Sequence, residues 1–321
     1  MSLKRPSAKI TVDGRALSAA EAGLVSLKID LGLNGAHDAV QLQLWRASKF
    51  ADATVGASLA IALGDAGSED DVLTGEVVAV HSRPDHVVLE GLAATIALSR
   101  AYVSQSYVSQ TVADIVKDLA GSAAVDKIDS DLQLGAYHVD NRRPAWLHLQ
   151  MLAQLAGCDL AAAPDGSLRF VPAAGALQAT RLRYGAELLD WDFAQAPAAA
   201  PPAALVHGAG SEQGSAKWHW LQHAPSSNGP SRVVGAFATK DAAEAASKAL
   251  EGRAARTAVS GRIVIVGDAG IRPGDSVELA DLPGANPGTL RVRAVHHRLD
   301  PLSGFTTRLS VEAADGGGPG L

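Results

Sequence analysis

Along the first ninety-odd residues apolar and polar positions alternate with a period of two, the pattern of half-buried strands. "AKITVDG" alternates and stops at an Asp13-Gly14 turn. In "LVSLKIDL" Leu24, Ser26, Lys28 and Asp30 lie opposite Val25, Leu27 and Ile29, and "AVQLQLW" puts Val40, Leu42 and Leu44 on one face. "ASLAIAL", an acidic loop "GDAGSEDD", "VLTGEVVAVHSR", a turn at Pro84-Asp85 and "HVVLEGL" complete an antiparallel set. Strands this short and closely spaced predict a small barrel or sandwich.

The period then changes. "SQTVADIVKDLAG" spaces Val112, Ile115, Val116 and Leu119 as a helix, with Ser109 as its N-cap and Gly121 as its stop. A second helix is predicted from Pro144 to Gly157, with an apolar stripe of Trp146, Leu149, Leu152, Ala153 and Ala156. "CDLAAAPDGSLRF" reads as a hairpin turning at Pro164-Asp165-Gly166. After "LRYGAELLDWDF" and a Pro/Ala-rich break, a second β-rich region follows, holding one helix, "TKDAAEAASKALEGRAAR", capped by Thr239. It closes with "IRPGDSVEL", a Gly/Pro loop, "TLRVRAVHHRLD" and "FTTRLSVEA".

A short phrase recurs across this pattern. Ala79–Asp85 reads "AVHSRPD" and Ala294–Asp300, 215 residues on, reads "AVHHRLD". The strands before them, "VGASLAIAL" and "IRPGDSVEL", match at an offset of 216. Each copy enters a hairpin whose return strand ends a β region. Two small barrels of one type, with an α+β module between them, explain the echo; chance similarity between strands is the plainer alternative. The expected division is a first barrel at 1–97, an α+β insert at 98–183, a second barrel at 184–312 with one inserted helix at about 239–256, and a flexible tail at 313–321. The fold class is thus mainly β with an α+β insert.

Composition narrows the function. With 321 residues, 47% hydrophobic and 19% charged, the chain can bury substantial cores. A net charge of −6 and the lack of a basic stripe argue against nucleic-acid binding. Cys158 is the single cysteine, so no internal disulfide or Cys-based zinc site can form, and a buried structural thiol is expected there. No apolar run reaches the ~20 residues of a membrane span, and the N-terminus does not read as a signal peptide, which points to synthesis in the cytoplasm.

Candidate chemistry is sparse. "HGAGSEQG" has glycines at 208, 210 and 214, whereas a dinucleotide loop wants the third at Gln213, and there is no GxSxG, P-loop or HExxH. His219 and His223 have a ligand spacing only on a helix, and a strand is expected there. His81 and His296 fall at matching places in the repeat, with His297 adjoining, and shared packing or hydrogen bonding explains them better than catalysis. Asp65, Glu69, Asp70 and Asp71 lack the pattern of a calcium loop. Arg142 and Arg143 are read as exposed, with inter-subunit ion pairs as a second option, and Trp218 and Trp220 share a strand face. The expectation is no catalytic, cofactor or metal site.

Four stretches together resemble the baseplate hub family of contractile phage tails and injection systems, also called late control gene D proteins, which includes the N-terminal hub part of type VI secretion spike proteins. They are "YVSQTVADIVKDLAG", "VDNRRPAWLHLQMLAQLAGCDLAAAPDGSLRF", "LRYGAELLDWDF…LVHGAG" and "IRPGDSVELADLP…GTLRVRAVHHRLDPLSGFTTRLSVE", covering most of residues 8–312. The resemblance implies a non-enzymatic homotrimer in which two barrels per chain give six similar units. Such a symmetry adapter joins a hexameric inner tube to a trimeric spike and contacts baseplate wedge components. The segment that continues longer members into a needle is not matched, so the resemblance implies a spike on a separate chain. It also implies a place in a phage tail or an extracellular injection particle. A tail-associated cell-wall hydrolase and a free-standing β-rich binding module are the alternatives.

Overall fold

A computed structural model describes residues 5–173, 179–195, 206–210, 219–223, 240–284 and 288–314. The first strand set is β1 (Pro6–Val12), β2 (Arg15–Ser18), β3 (Leu24–Gly32), β4 (Ala39–Trp45), β5 (Ser58–Asp65), β6 (Ser68–Ser82) and β7 (His86–Ala93). A module follows with α1 (Ala97–Arg100), β8 (Gln105–Thr111), α2 (Val112–Ala120), β9 (Val125–Ile128), β10 (Gln133–Val139), α3 (Ala145–Ala156), β11 (Cys158–Ala162) and β12 (Leu168–Pro172). The chain continues through β13 (Thr180–Arg183), β14 (Leu188–Gln195), β15 (Val206–Gly210), β16 (His219–His223) and α4 (Lys240–Arg256). It finishes with β17 (Val259–Val266), β18 (Ser276–Ala280), β19 (Thr289–Asp300) and β20 (Gly304–Ala313). The protein is mainly β with a few helices, as the strand periodicity predicts.

Thirteen of these strands make one sheet, ordered β14-β17-β20-β19-β3-β4-β7-β6-β5-β1-β2, with β18 beside β19 and β13 beside β18. The antiparallel pair β3·β19 joins the early strands to the late ones, setting Leu27 against Leu299 and Leu31 against Val295. A single apolar core underlies both sets and includes Ile10, Leu27, Leu42, Ile263, Val295 and Leu309. A fully buried leucine there contributes about 1.5–3 kcal/mol through removal of its surface from water. β13 pairs with β18, so Thr180–Arg183 belong to the large sheet as well.

Several local expectations are corrected. Ser109 does not cap α2: it lies in β8 with φ 52, and Thr111 is the N-cap, its hydroxyl accepting the Asp114 N–H at 3.1 Å. Thr111 with Asp114 is a reciprocal cap, which Ser109 lies too far upstream to form. The acidic "loop" is a hairpin: β5 turns at Ala66-Gly67 and Glu69, Asp70 and Asp71 already belong to β6, opposite Gly64, Leu63 and Ala62. Solvent on one side of this hairpin permits acidic residues inside a strand. α3 runs between Pro144 and Gly157 as predicted, and Gly157 takes the left-handed φ of 66 that ends it. The Thr239 cap lies outside the described residues, as do the Pro/Ala-rich break, Gln213, Gly214 and Trp218.

The module has its own core, built on Ile115, Leu149, Leu152 and Phe170. It is fastened to both strand sets at the same structural position. β5·β6 pairs Ser58 with Glu76, and β18·β19 pairs Ser276 with Arg291, so Glu76 and Arg291 are counterparts. Glu76 accepts from Arg100 of α1 at 2.5 Å. Arg291 is buried and reaches Asp159 of β11, while its Nη1 donates to Glu312 at 2.6 Å. Asp159 also accepts from Asn34 of the β3–β4 loop at 3.3 Å, and Asn34 exchanges bonds with Leu160 through its own N–H and its side-chain oxygen. A third contact is the Trp146 indole N–H, which donates to the Gly35 carbonyl at 3.1 Å.

Removing one member of a buried ion pair strands the other charge, which costs about 3–5 kcal/mol. Arg291→Ala should therefore lower unfolding free energy by about that amount in denaturant titration. An exposed control, Arg142→Ala, should change it by less than about 1 kcal/mol. Equal effects of the two variants would show that the buried pair is not what fixes the module.

Candidate assembly interface

The residues of the repeated phrase sit on counterpart strands with the same defect just before them. In β6·β7 the pairing skips Val78, and in β19·β20 it skips Arg293, 215 residues on. Each bulge immediately precedes Ala-Val-His. A second pair of bulges matches as well: β3·β4 skips Val25 and β14·β17 skips Leu189. The partners also correspond, since Leu24 faces Leu44 and Leu188 faces Ile265, while Leu42 faces Leu89 and Ile263 faces Leu309. Bulges insert one residue and locally re-aim a strand, so two coincidences of register reflect repeated architecture rather than repeated composition.

The strands before the phrase correct the sequence alignment. Gly56 N–H donates to Val77 O at 2.8 Å and Val77 N–H to Ala57 O at 2.9 Å. Gly274 N–H donates to Val292 O and Val292 N–H to Asp275 O, both at 2.8 Å. Gly56 therefore corresponds to Gly274, an offset of 218, not the 216 read from apolar matches. The repeated feature is a backbone clasp, which apolar spacing does not encode.

The counterpart histidines have different neighbours. His81 on β6 is exposed, with Nε2 3.7 Å from Glu90. His296 lies in the β3·β19 joint with Nδ1 2.6 Å from Asp30, and this bond holds the Asp30 carboxyl below its ordinary pKa. His297 is buried beside Phe305, bonded to the Thr307 hydroxyl at 2.9 Å, and burial pushes its pKa down to about 3. These three rings do not converge on one point.

Nor do the other candidates among the described residues lie together. Cys158 is buried and its thiol pKa is pushed up to about 12 by desolvation, which suppresses the nucleophilic thiolate. His219 and His223 are the ends of β16, a strand paired with β15, so four residues of extended chain separate them by about 13 Å. That is too far for one metal ion. Gly208 and Gly210 lie in β15 rather than in a loop entering a helix. Arg142 pairs with Asp140 of its own turn at 3.4 Å, and Arg143 donates to Met151. Among the described residues no cluster of three or more His, Cys, Asp or Glu is placed to hold a metal, and no helix is long and apolar enough to cross a membrane. One open depression of about 250 Å³ lies between the strand sets, edged by Asp65, Asp70, Asp268 and Phe305.

Two polar residues at the junction escaped the sequence reading. Arg272 donates to the backbone carbonyls of Asp71 and Val72, tying the late strands to β6. Asp38 is buried behind it, accepts the Gly32 N–H at 2.8 Å, and has its pKa raised to about 7 by desolvation. Asn34-Gly35 was a legible turn signal for the loop that carries Asp38, but no local pattern announces its burial.

No protein-family model matches the chain, and no curated protein matches it in sequence. Solved structures do match over nearly its whole length. A tail protein of Neisseria meningitidis is 15% identical, with a TM-score of 0.72 and 96% of each chain covered. The 43 kDa tail protein of prophage MuSo2 from Shewanella oneidensis is 13% identical, with a TM-score of 0.68 over 96% of this chain and 98% of that one. An Escherichia coli component of the type VI secretion system is 12% identical, with a TM-score of 0.64 over 96% of this chain and 77% of that one. The fold is that of phage tail proteins. At these identities the likeness concerns the path of the backbone, and it agrees with the family that the four sequence stretches resemble.

Asp38 supplies a pH test of the junction. A carboxyl with a folded pKa near 7 and an ordinary value of 3.8 binds a proton in the native state between those pH values. Stability from it is full at low pH and is lost as pH rises from about 4 to 7. Asp38→Asn keeps the acceptor oxygen and removes the ionisation. It should match the wild type near pH 4 and exceed it at pH 8 by on the order of 4 kcal/mol. Thermal unfolding curves that stay parallel across that range would sink this assignment.

Proposed function

We propose that this chain is the structural hub of the baseplate of a contractile tail or injection system. In this reading it is a trimeric adapter that seats a hexameric inner tube on a trimeric spike. The observation that carries the reading is the internal repeat: two strand sets, matched in register and in both bulges, within one continuous sheet. A closed ring needs like patches for each like neighbour, so three chains with two such sets offer six similar units to a sixfold ring. The solved proteins of the same fold support a tail role, since they are named as tail proteins and as a type VI secretion component. The two strand sets are then the two barrel domains, with the module from α1 to β12 as the insert between them.

A hub of this kind needs no catalytic centre. The buried, raised-pKa thiol of Cys158 and the scattered histidines agree with a mechanical role. The place of action is the tail of a phage-like particle, with baseplate wedge components as further neighbours.

Cryo-EM of the parent particle tests the proposal. Three copies of the chain should form one layer between the first tube ring and the spike, and purified protein should release no fragments from peptidoglycan. Six copies, no copy beneath the tube, or fragment release would refute it.

A further inference from the structure

The internal repeat leaves one joint made and two half-joints open. Within the chain, β3 lies against β19 in a fixed register: Leu31 faces Val295, Asp30 faces His296, Ile29 faces His297 and Lys28 faces Arg298. The counterpart of β3 is β14, and the counterpart of β19 is β6, as the shared bulges establish. Yet among the described residues β14 beyond its Leu188–Tyr184 bridge pairs only with β17, and β6 beyond Val77 pairs only with β7. Arg83 N–H bonds to His86 O on the β7 side, so by alternation Val80 and Ser82 turn their backbone N–H and C=O groups outward. Unpaired edges of this kind invite another strand.

From this geometry we infer that β6 of one copy of the chain and β14 of a second copy pair antiparallel, in the register that β19 and β3 use internally. Carrying the register across sets Val80 against Gln195, His81 against Ala194, Ser82 against Phe193 and Arg83 against Asp192 of the second copy. Two independent observations agree with this occupant. The first is burial: Leu27, Ile29 and Val295 are fully buried at the internal joint, whereas their counterparts Trp191, Phe193 and Val80 remain partly exposed. A second strand would complete their cover. The second is charge: Arg83 and Asp192 are both exposed, neither makes an ion pair among the described residues, and the register places them directly opposite. The joint is heterologous, so copies add head to tail, and with the three copies of the hub reading the last free edge meets the first and closes a ring. The inference deepens the hub reading and rests on it for the number of copies.

Disulfide trapping tests the register in the full chain. In an antiparallel pair the close positions have Cα atoms about 4.5 Å apart, within the span of a disulfide. His81→Cys with Ala194→Cys should give, under mild oxidation, reducible covalent dimers and a terminal band of three chains on denaturing gels. Mixing the two single variants should give dimers only. His81→Cys with Asp192→Cys, two residues out of register, should cross-link at least tenfold less. Arg83→Asp and Asp192→Arg should each weaken self-association roughly fivefold, and the double exchange should restore it. Equal cross-linking by the shifted pair overturns the inference. So does the absence of cross-links in protein that is associated, or a monomer at the highest soluble concentration. A trimer in the particle without the cross-link leaves the hub reading standing and the joint wrong. Cross-links in a chain absent from beneath the tube would do the reverse.

Discussion

Backbone pairing between β3 and β19 is the constraint on which the architecture depends. It makes one sheet out of strands whose paired residues lie more than 260 positions apart in the chain, and Leu27, Ile29 and Val295 are fully buried there. A one-residue slip would turn every one of these side chains to the opposite face, so the register is held by the apolar pattern on both strands. The Asp30–His296 bond sits in the middle of the joint and adds a polar marker for the same register. Because each half repeats the other, fixing this joint also fixes the shape of the two edges left over.

The module between the halves acts as a clamp on that joint. The loop from Leu33 to Asp38, which leaves β3, inserts between α3 and β11 through Asn34, Gly35 and the indole of Trp146. From the other half, Arg291 reaches the same β11 at Asp159. The counterpart positions Glu76 and Arg291 thus both bind the module, with opposite charges answered by Arg100 and Asp159. The buried pair gives little net stability by itself, but its loss leaves a stranded charge, so it selects one docking geometry over others.

Much of this was legible in the sequence. Period-two alternation located β1 and β3 to β7, and helical spacing with a Pro start and a Gly stop located α3. The echo of "AVHSRPD" in "AVHHRLD" pointed to matching strands, and the bulges at Val78 and Arg293 supply the physical reason, since a repeated kink requires similar residues around it. What the sequence could not give is register. The clasp at Gly56 and Gly274 is made by backbone atoms, and apolar spacing alone put it two residues out. The acidic run Glu69–Asp71 has the composition of a loop because one strand face is solvated there, and Ser109 and Thr111 both precede the apolar spacing of α2, so only the Thr111–Asp114 hydrogen bonds single out the cap. The buried polar residues Asp38, Asp159 and Arg291 come together only when distant segments meet.

The most direct measurement is an experimental structure of the purified chain at side-chain resolution. The account predicts Leu27–Leu31 paired with Val295–Leu299, and a superposition of β3–β7 on β14 and β17–β20 in which Val78 falls on Arg293 and Val25 on Leu189. A map in which β3 and β19 are apart, or in which the two sets align with those bulges out of step, would contradict it.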